Sequence, residues 1–354
     1  MDMQILKRLW HFIVRMDVVS ILIVVLFGLA ALGSCFPQLS SSTEANPTNF
    51  SLWQAQARTR YGALMDILTS VGVFHFFRSP LFLLSLSILA ASTLICTLDR
   101  WKAVWRQTFH HEISCSDATF QTAPCSARLV RKGEMDLSTV FEKHLEDNGF
   151  RVRSKTKHDS LHIRGDRNRI ALLATLVSHL GVVLLLLGTI LSAAFAWREE
   201  IIIESDHWTA IPHHPGTTVQ HEGFIIERYP DDSVADYEAK IIITNEIGEI
   251  IRGSVHLNKP LNYHGVQLTL MGYRLESRDY ALTLLAVHDP GYGASIIAGG
   301  LLLLGMAVSF NFPHCCIQAR YEPDGTLLIA GRADRKAYSF EREFSHIIMT
   351  VENV

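Results

Sequence analysis

The chain has no C-x-x-C pair among its six cysteines. That excludes a thioredoxin-like dithiol and a c-type heme attachment site within it. It has little net charge, formally -3, so no global basic field exists to hold DNA or RNA, and no nucleic-acid partner is expected. Cysteine is missing altogether from Arg198 to Asp289, so this stretch folds without disulfides whatever its redox compartment. Internal repeats and low-complexity tracts are absent too. The histidines His207, His213, His214 and His221 cluster loosely in "DHWTAIPHHPGTTVQH" without zinc-ligand spacing or paired cysteines, and exposed imidazoles are the simplest reading of them.

What the chain does have is long runs without charge. Val18 to Phe36, Pro80 to Leu98, Ile170 to Trp197 and Pro290 to Pro313 carry no Asp, Glu, Lys or Arg. At a rise of ~1.5 Å per residue, each covers the ~30 Å hydrocarbon core of a bilayer. The first follows a short basic head (Lys7, Arg8, Arg15) and could pass for a signal peptide, but its length, the lack of an A-x-A site and the later spans favour retention.

Four spans put both termini on one side, and basic residues identify it. Asp99 to Arg169 holds 14 Lys and Arg, against 3 in Pro37 to Ser79 and 7 in Arg198 to Asp289, where 15 residues are acidic. The expected architecture is an integral membrane protein with four α-helical transmembrane spans, a small cytoplasmic α+β module, and a β-rich extracytoplasmic domain between spans three and four. In numbers, 1–98 holds spans one and two with a short external loop, 99–169 the cytoplasmic module, and 170–197 span three. The external domain is 198–289, span four 290–313, and a cytoplasmic tail 314–354.

Within the module, "MDLSTVFEKHLEDNGFRVRSK" predicts a helix capped at Asp136 or Ser138, stopped at Gly149 and followed by a strand. "DSLHIRGDRNR" predicts a second strand and a basic turn, which could meet carboxylates at the inner surface or simply serve retention. Outside, apolar and polar residues alternate, with turns at Asn245 to Gly248 and Asn262 to Gly265. In "HDPG", Asp289 is placed to cap span four and Pro290 to open its first turn. The cysteines read as small hydrophobes near interfaces; Cys35, on the outer side, is the one flagged as a thiol.

His179 stands out because it interrupts "LVSHLGVVLLLLGTIL". Counted from Ile170 it lies roughly 14 Å into span three, where an ionisable group is costly and faces a bundle interior, a ligand or a water path. Neutral imidazole is a common iron ligand. Equally, it could hydrogen-bond to a hydroxyl on a neighbouring span, such as Ser92 or Thr93. Gly181 and Gly188 permit close helix approach under either reading.

The chain resembles the ResB (CcsB) proteins of System II cytochrome c maturation. The resemblance is carried by "GSCFPQ" ending span one, "LICTLDR" ending span two, the His-led "HLGVVLLLLGTIL", "VHLNKPLNYHGVQL", "HDPGYGASIIAGGLLLLGMAVSF" and the tail "LLIAGRADRKAYSFEREF". These six lie in the family's order along nearly the whole length. "GVQLTLMGYR" departs from the family's usual G-x-x-x-Y-Q at that point, and Cys35 replaces a common apolar residue.

The resemblance implies a subunit that carries heme across the membrane and presents it for thioether attachment to C-x-x-C-H of apocytochrome c. It implies a ResC/CcsA-type partner, which bears the W-x-W-D motif that this chain does not contain, with apocytochrome c and a thioredoxin-like thiol reductant as further partners. Heme b would be transported substrate or transient ligand, His179 its axial ligand, and His288, near the outer end of span four, the first alternative. No catalytic residue is assigned, and metal binding is expected through heme iron only. The chain would be a non-autonomous subunit of a holocytochrome c synthase in a bacterial inner membrane, both termini cytoplasmic. Two other classes compete: a proton or ion transporter with His179 as relay, and an assembly or sensor protein with a ligand-binding external β domain and a structural His179.

Overall fold

The computed structural model describes residues 16–40, 43–44, 46–110, 112–130, 137–276, 279–335 and 337–352. The basic head 1–15 and Asp136 lie outside the described residues. Four helices are long and apolar enough to cross a membrane. Span one is Met16–Ser34, span two Pro80–Phe109, span three Leu173–Phe195 and span four Tyr292–Asn311. Large apolar side chains stay uncovered along them, Val24 at 70%, Phe27 at 76% and Leu303 at 68% exposure. Helices apolar all round with that much uncovered surface belong in lipid. The chain divides into two compact units, and the boundary falls within spans two, three and four.

The first unit contains Ala91–Leu184 and Ile297–Val354. Outside the spans it holds a five-stranded antiparallel sheet in the order Cys125–Val130, Thr326–Ala333, Cys315–Tyr321, Ser160–Arg167 and Arg151–Lys157. Residues after span four therefore supply two inner strands of this sheet rather than a separate tail, since Cys315–Tyr321 pairs directly with Ser160–Arg167. Ser160–Arg167 runs through the "RGDR" that the sequence reads as a turn. Helix Leu137–Asp147 ends as expected: Gly149 takes φ 79° and the Phe150 N–H returns to the Leu145 carbonyl at 3.0 Å, a left-handed stop that glycine tolerates. Helix Ala337–Glu352 places Phe340, Phe344, Ile347 and Val351 on one stripe, packed with Phe141, Leu145, Ile163 and Ile329. Gly331 permits this closeness, because a Cβ there would lie 2.7 Å from the Phe344 ring. Glu343 in "FEREF" receives two hydrogen bonds from Arg167, at 2.5 and 2.7 Å, clamping the helix to the sheet.

Alternation puts a different chemistry on the other face of this sheet. Leu161, Ile163 and Gly165 go with the helices; His162, Arg164 and Asp166 point the opposite way and are buried. That face is polar.

The second unit contains Arg15–Ala90 and Leu185–Ile296. Two four-stranded antiparallel sheets form a sandwich. One holds Trp197–Ile203, Asp279–His288, Val266–Glu276 and Leu261–Tyr263; the other Thr209–Ala210, Thr218–Arg228, Val234–Thr244 and Ile250–His256. Ile203, Val219, Ile241, Leu268, Leu282 and Leu284 share its core. Both anticipated turns are present, with Gly248 at φ 78° and the pair His264 and Gly265 at φ 43° and 82°, the latter suited to a tight hairpin. The C-terminal end of span three meets the N-terminal end of span four through Gly188, whose added Cβ would strike Ser295 Oγ at 2.7 Å. The Ser192 hydroxyl donates to Asp289 at 2.6 Å, and the same carboxylate accepts the Gly291 N–H at 3.0 Å. Asp289 therefore holds the entry to span four as anticipated, while the regular helix begins two residues beyond Pro290, at Tyr292.

"GSCFPQ" has a structural job here. The Gln38 amide donates to the carbonyls of Gly33, Phe36 and Val73 and accepts from the Phe76 N–H. A side chain at Gly33 would collide with the Phe76 ring. The pair ties the end of span one to the turn Val73–Arg78.

Candidate functional site

His179 lies six residues past Leu173, the start of the regular helix of span three, or roughly 9 Å along the axis. It is half-buried. Its Nδ1 stands 3.3 Å from Thr97 Oγ1 on span two. Neither Ser92 nor Thr93 supplies that contact; the hydroxyl is one helical turn further along. Thr97 is itself nearly enclosed, at 8% exposure, and its hydroxyl donates to the Thr93 carbonyl at 2.7 Å.

The shorter of the two bonds, 2.7 Å against 3.3 Å, assigns a tautomer. A hydroxyl has one hydrogen, and Thr97 gives it to Thr93, so towards His179 its oxygen can only accept. Nδ1 then carries the hydrogen, and the lone pair is on Nε2. An imidazole oriented through one nitrogen with a lone pair on the other is the arrangement of a metal-ligating histidine and its supporting hydrogen bond. On the next face, Gly181 lets span four approach: an added Cβ would lie 2.9 Å from Leu302 Cγ and 3.1 Å from the Ala298 carbonyl. Gly305 does the same opposite Ala174 and Ser178. Small residues at such positions bring helices together in lipid.

His288 shows the same logic in the second unit. Its Nδ1 lies 2.9 Å from the Gly265 carbonyl; a carbonyl only accepts, so Nδ1 is the donor, and in the neutral ring Nε2 holds the lone pair. Trp197 stacks on it, with ring centroids 5.9 Å apart and an interplanar angle of 24°, and contacts His213 at 4.7 Å. His213 Nε2 meets Glu199 at 2.9 Å. His264 packs against Tyr263 at 4.5 Å. His221 corrects an expectation: it is buried, 1% exposed, because its place in strand Thr218–Arg228 faces the sandwich core, where Nε2 reaches the Tyr280 carbonyl at 2.7 Å. Among the described residues no group of three or more His, Cys, Asp or Glu is arranged to hold a metal ion.

Sequence reasoning did not anticipate the ion network on the polar sheet face of the first unit. Arg164 donates twice to Asp166, at 2.7 and 3.0 Å, and His314 Nε2 meets Asp166 at 3.0 Å while Nδ1 lies 3.4 Å from Asp334. Burial alone would push the Asp166 carboxyl up, but bonds from His314 and Arg164 outweigh it and hold the group well below the usual carboxylate range. Burial likewise disfavours charge on His314, and the bonds to Asp166 and Asp334 reverse that and raise its pKa. The basic turn anticipated at 164–169 is thus spent internally: Arg164 and Arg169 face Asp166, and Arg167 pairs with Glu343. The signal was present as the alternating His162, Arg164, Asp166 in a strand.

The cysteines separate as their burial dictates. Burial pushes the Cys115 thiol up to about 11 and that of Cys316 to about 12, so both are inert thiols; Cys35 is exposed.

With this geometry in hand, the ResB-like family matches residues 16–287. The cytochrome c biogenesis protein CcsB of Synechococcus sp. (strain JA-2-3B'a(2-13)) is 22% identical over 222 residues, 60% of this chain and 46% of that protein. The cytochrome c biogenesis protein ResB of Bacillus subtilis (strain 168) is 20% identical over 306 residues, 78% of this chain and 55% of its own length. The cytochrome c biogenesis protein CcsB of Prochlorococcus marinus is 21% identical over 295 residues, covering 81% of this chain and 65% of that one. The chain spans about half the length of the first of these relatives.

Proposed function

The chain belongs to the ResB-like family, and from that membership we propose that it serves cytochrome c maturation as the subunit that carries heme through the membrane towards apocytochrome c. It works with a ResC/CcsA-type partner that holds the W-x-W-D motif, and a thioredoxin-like reductant keeps the acceptor thiols reduced. In this reading both termini and the five-stranded sheet lie in the cytoplasm of a bacterium and the sandwich outside its inner membrane, and the bias of Lys and Arg supports that orientation.

Heme b is the cargo. His179 Nε2 supplies one axial nitrogen, Thr97 holds the ring in the tautomer that leaves that lone pair available, and the partner contributes the second ligand. His288 Nε2, oriented by the Gly265 carbonyl and stacked on Trp197, is the outer ligand of second choice. The carrying observation is the Thr93, Thr97, His179 relay within the apolar helices.

The test is the absorption spectrum of the protein purified with its partner, for wild type and His179→Ala. Bound heme is expected in the wild type, lost in the variant and restored by added imidazole. Heme content unchanged in His179→Ala would make the histidine structural and move the ligand to His288 or the partner.

A further inference from the structure

Span two does not stop where its charge-free stretch ends. The helix continues from Asp99 to Phe109, about 16 Å at ~1.5 Å per residue. Along this extension two stripes run side by side. Trp101, Trp105 and Phe109 form one, with Trp101 and Trp105 stacked at 6.0 Å and 14° and Trp105 against Phe109 at 4.5 Å. Lys102, Arg106 and His110 form the other. Both stripes are exposed.

Two adjoining hollows share Arg106 and His110. One, of about 470 Å³, is walled by Trp101 and Trp105. The other, of about 570 Å³, opens onto the polar face of the sheet, where Arg164, Arg332 and His314 line it together with the acidic residues Glu112 and Asp334. Both fall in the size range of small-molecule sites, roughly 300–1,000 Å³. Arg164 is fixed there by Asp166, and Arg167 and Arg320 are each paired with carboxylates. Arg106 and Arg332 differ: among the described residues neither pairs with a carboxylate. They come from separate elements, the helix extension and strand Thr326–Ala333, and face one cavity. Gly331 turns to the helices on one side of that strand, and alternation sends Arg332 to the other.

A flat aromatic wall continuous with two uncommitted guanidiniums calls for a ligand that is flat and apolar at one end and anionic at the other. Anchoring at a lipid interface explains exposed tryptophans on a span end, but not a second hollow that reaches the sheet and gathers arginines from two elements. We infer that the two hollows form one loading site for the dicarboxylate face of a porphyrin, its ring against Trp101 and Trp105 and its propionates on Arg106 and Arg332. The inference rests on the reading of heme as cargo, and names where the cargo is first held.

Metal-free protoporphyrin IX separates this site from His179, because it has no iron to ligate. The full-length protein in phosphatidylcholine nanodiscs is titrated with it, and binding is read by porphyrin fluorescence anisotropy. Arg106→Gln and Arg332→Gln are each expected to weaken binding about tenfold, the loss typical of one charge-assisted hydrogen bond. Protoporphyrin dimethyl ester should bind wild type as poorly as the acid binds the double variant. Lysine at both positions should restore most of the affinity, which guards against misfolding. His179→Ala should bind the metal-free porphyrin as wild type does, so loss of heme at His179 and loss of this site are distinguishable. Equal binding of acid and ester, or an unchanged double variant, overturns the inference. So does phosphatidylglycerol in the disc abolishing porphyrin binding while the double variant loses only its response to that lipid, which would assign the arginines to lipid headgroups.

Discussion

Replacing Thr97 with valine removes a single oxygen from the neighbourhood of His179 and keeps the shape of the side chain. In the wild type that oxygen accepts the His179 Nδ1–H at 3.3 Å because its own hydrogen is committed to Thr93 at 2.7 Å. Without it the ring loses its orienting bond and its tautomer preference. The direct loss is about 1 kcal/mol, a typical net hydrogen bond. The effect on iron should be larger, since removing the outer partner of a ligating histidine commonly costs about 10- to 100-fold in affinity. Heme titration of the partner-bound protein in detergent, followed by absorption, measures it. Thr97→Val should raise the dissociation constant at least tenfold, and Thr97→Ser, which can accept and donate alike, should stay near wild type. A valine variant with wild-type affinity, or a serine variant that fails, refutes the tautomer argument even if His179→Ala still loses heme.

Other consequences follow from the ion network and the thiols. Asp166→Asn strips the partner from buried Arg164 and His314, and breaking such a pair costs about 3–5 kcal/mol; denaturant melts of the solubilised protein should show that loss. His314 has a raised folded pKa, so its stabilisation is complete below about pH 6.5, its unfolded value, and fades as pH rises through the folded one. Asp166 is depressed, so its contribution is present above about pH 3.9 and fades as pH falls below that. Melting temperature should therefore decline on the alkaline side in wild type, and the decline should vanish in His314→Gln; a flat wild-type profile from about pH 5.5 to about 8.5, the range that brackets the ordinary histidine value, defeats the assignment. A membrane-impermeant maleimide added outside intact cells should label exposed Cys35 and spare buried Cys115 and Cys316, whereas labelling of Cys35 only after lysis would invert the proposed orientation.

Much of this arrangement was legible in order along the chain. A bilayer span needs only length and the absence of charge, both local properties, and each of the four charge-free runs forms an apolar helix. Turns behave likewise: Gly149, Gly248 and Gly265 sit at positive φ where glycine costs least. His179 was conspicuous for the same reason, one polar residue in an apolar tract.

Pairings between distant segments were not legible. Cys315–Tyr321 joins Ser160–Arg167, far away along the chain, because each leaves one face apolar for the helices and one polar for the Arg164 and His314 network. Nothing local in either strand names the other. The partner of His179 turned on helical phase and the axial offset between spans two and three, which sequence spacing within one helix does not contain, and so Thr97 replaced Ser92 and Thr93. His221 went to the core, not to solvent, when strand register chose its face. Solvent preference and backbone dihedrals are written residue by residue, so the chain alone determined its spans, turns and odd histidine. Which side chains meet depends on how separately stable elements share their buried faces, and only the tertiary structure decided that.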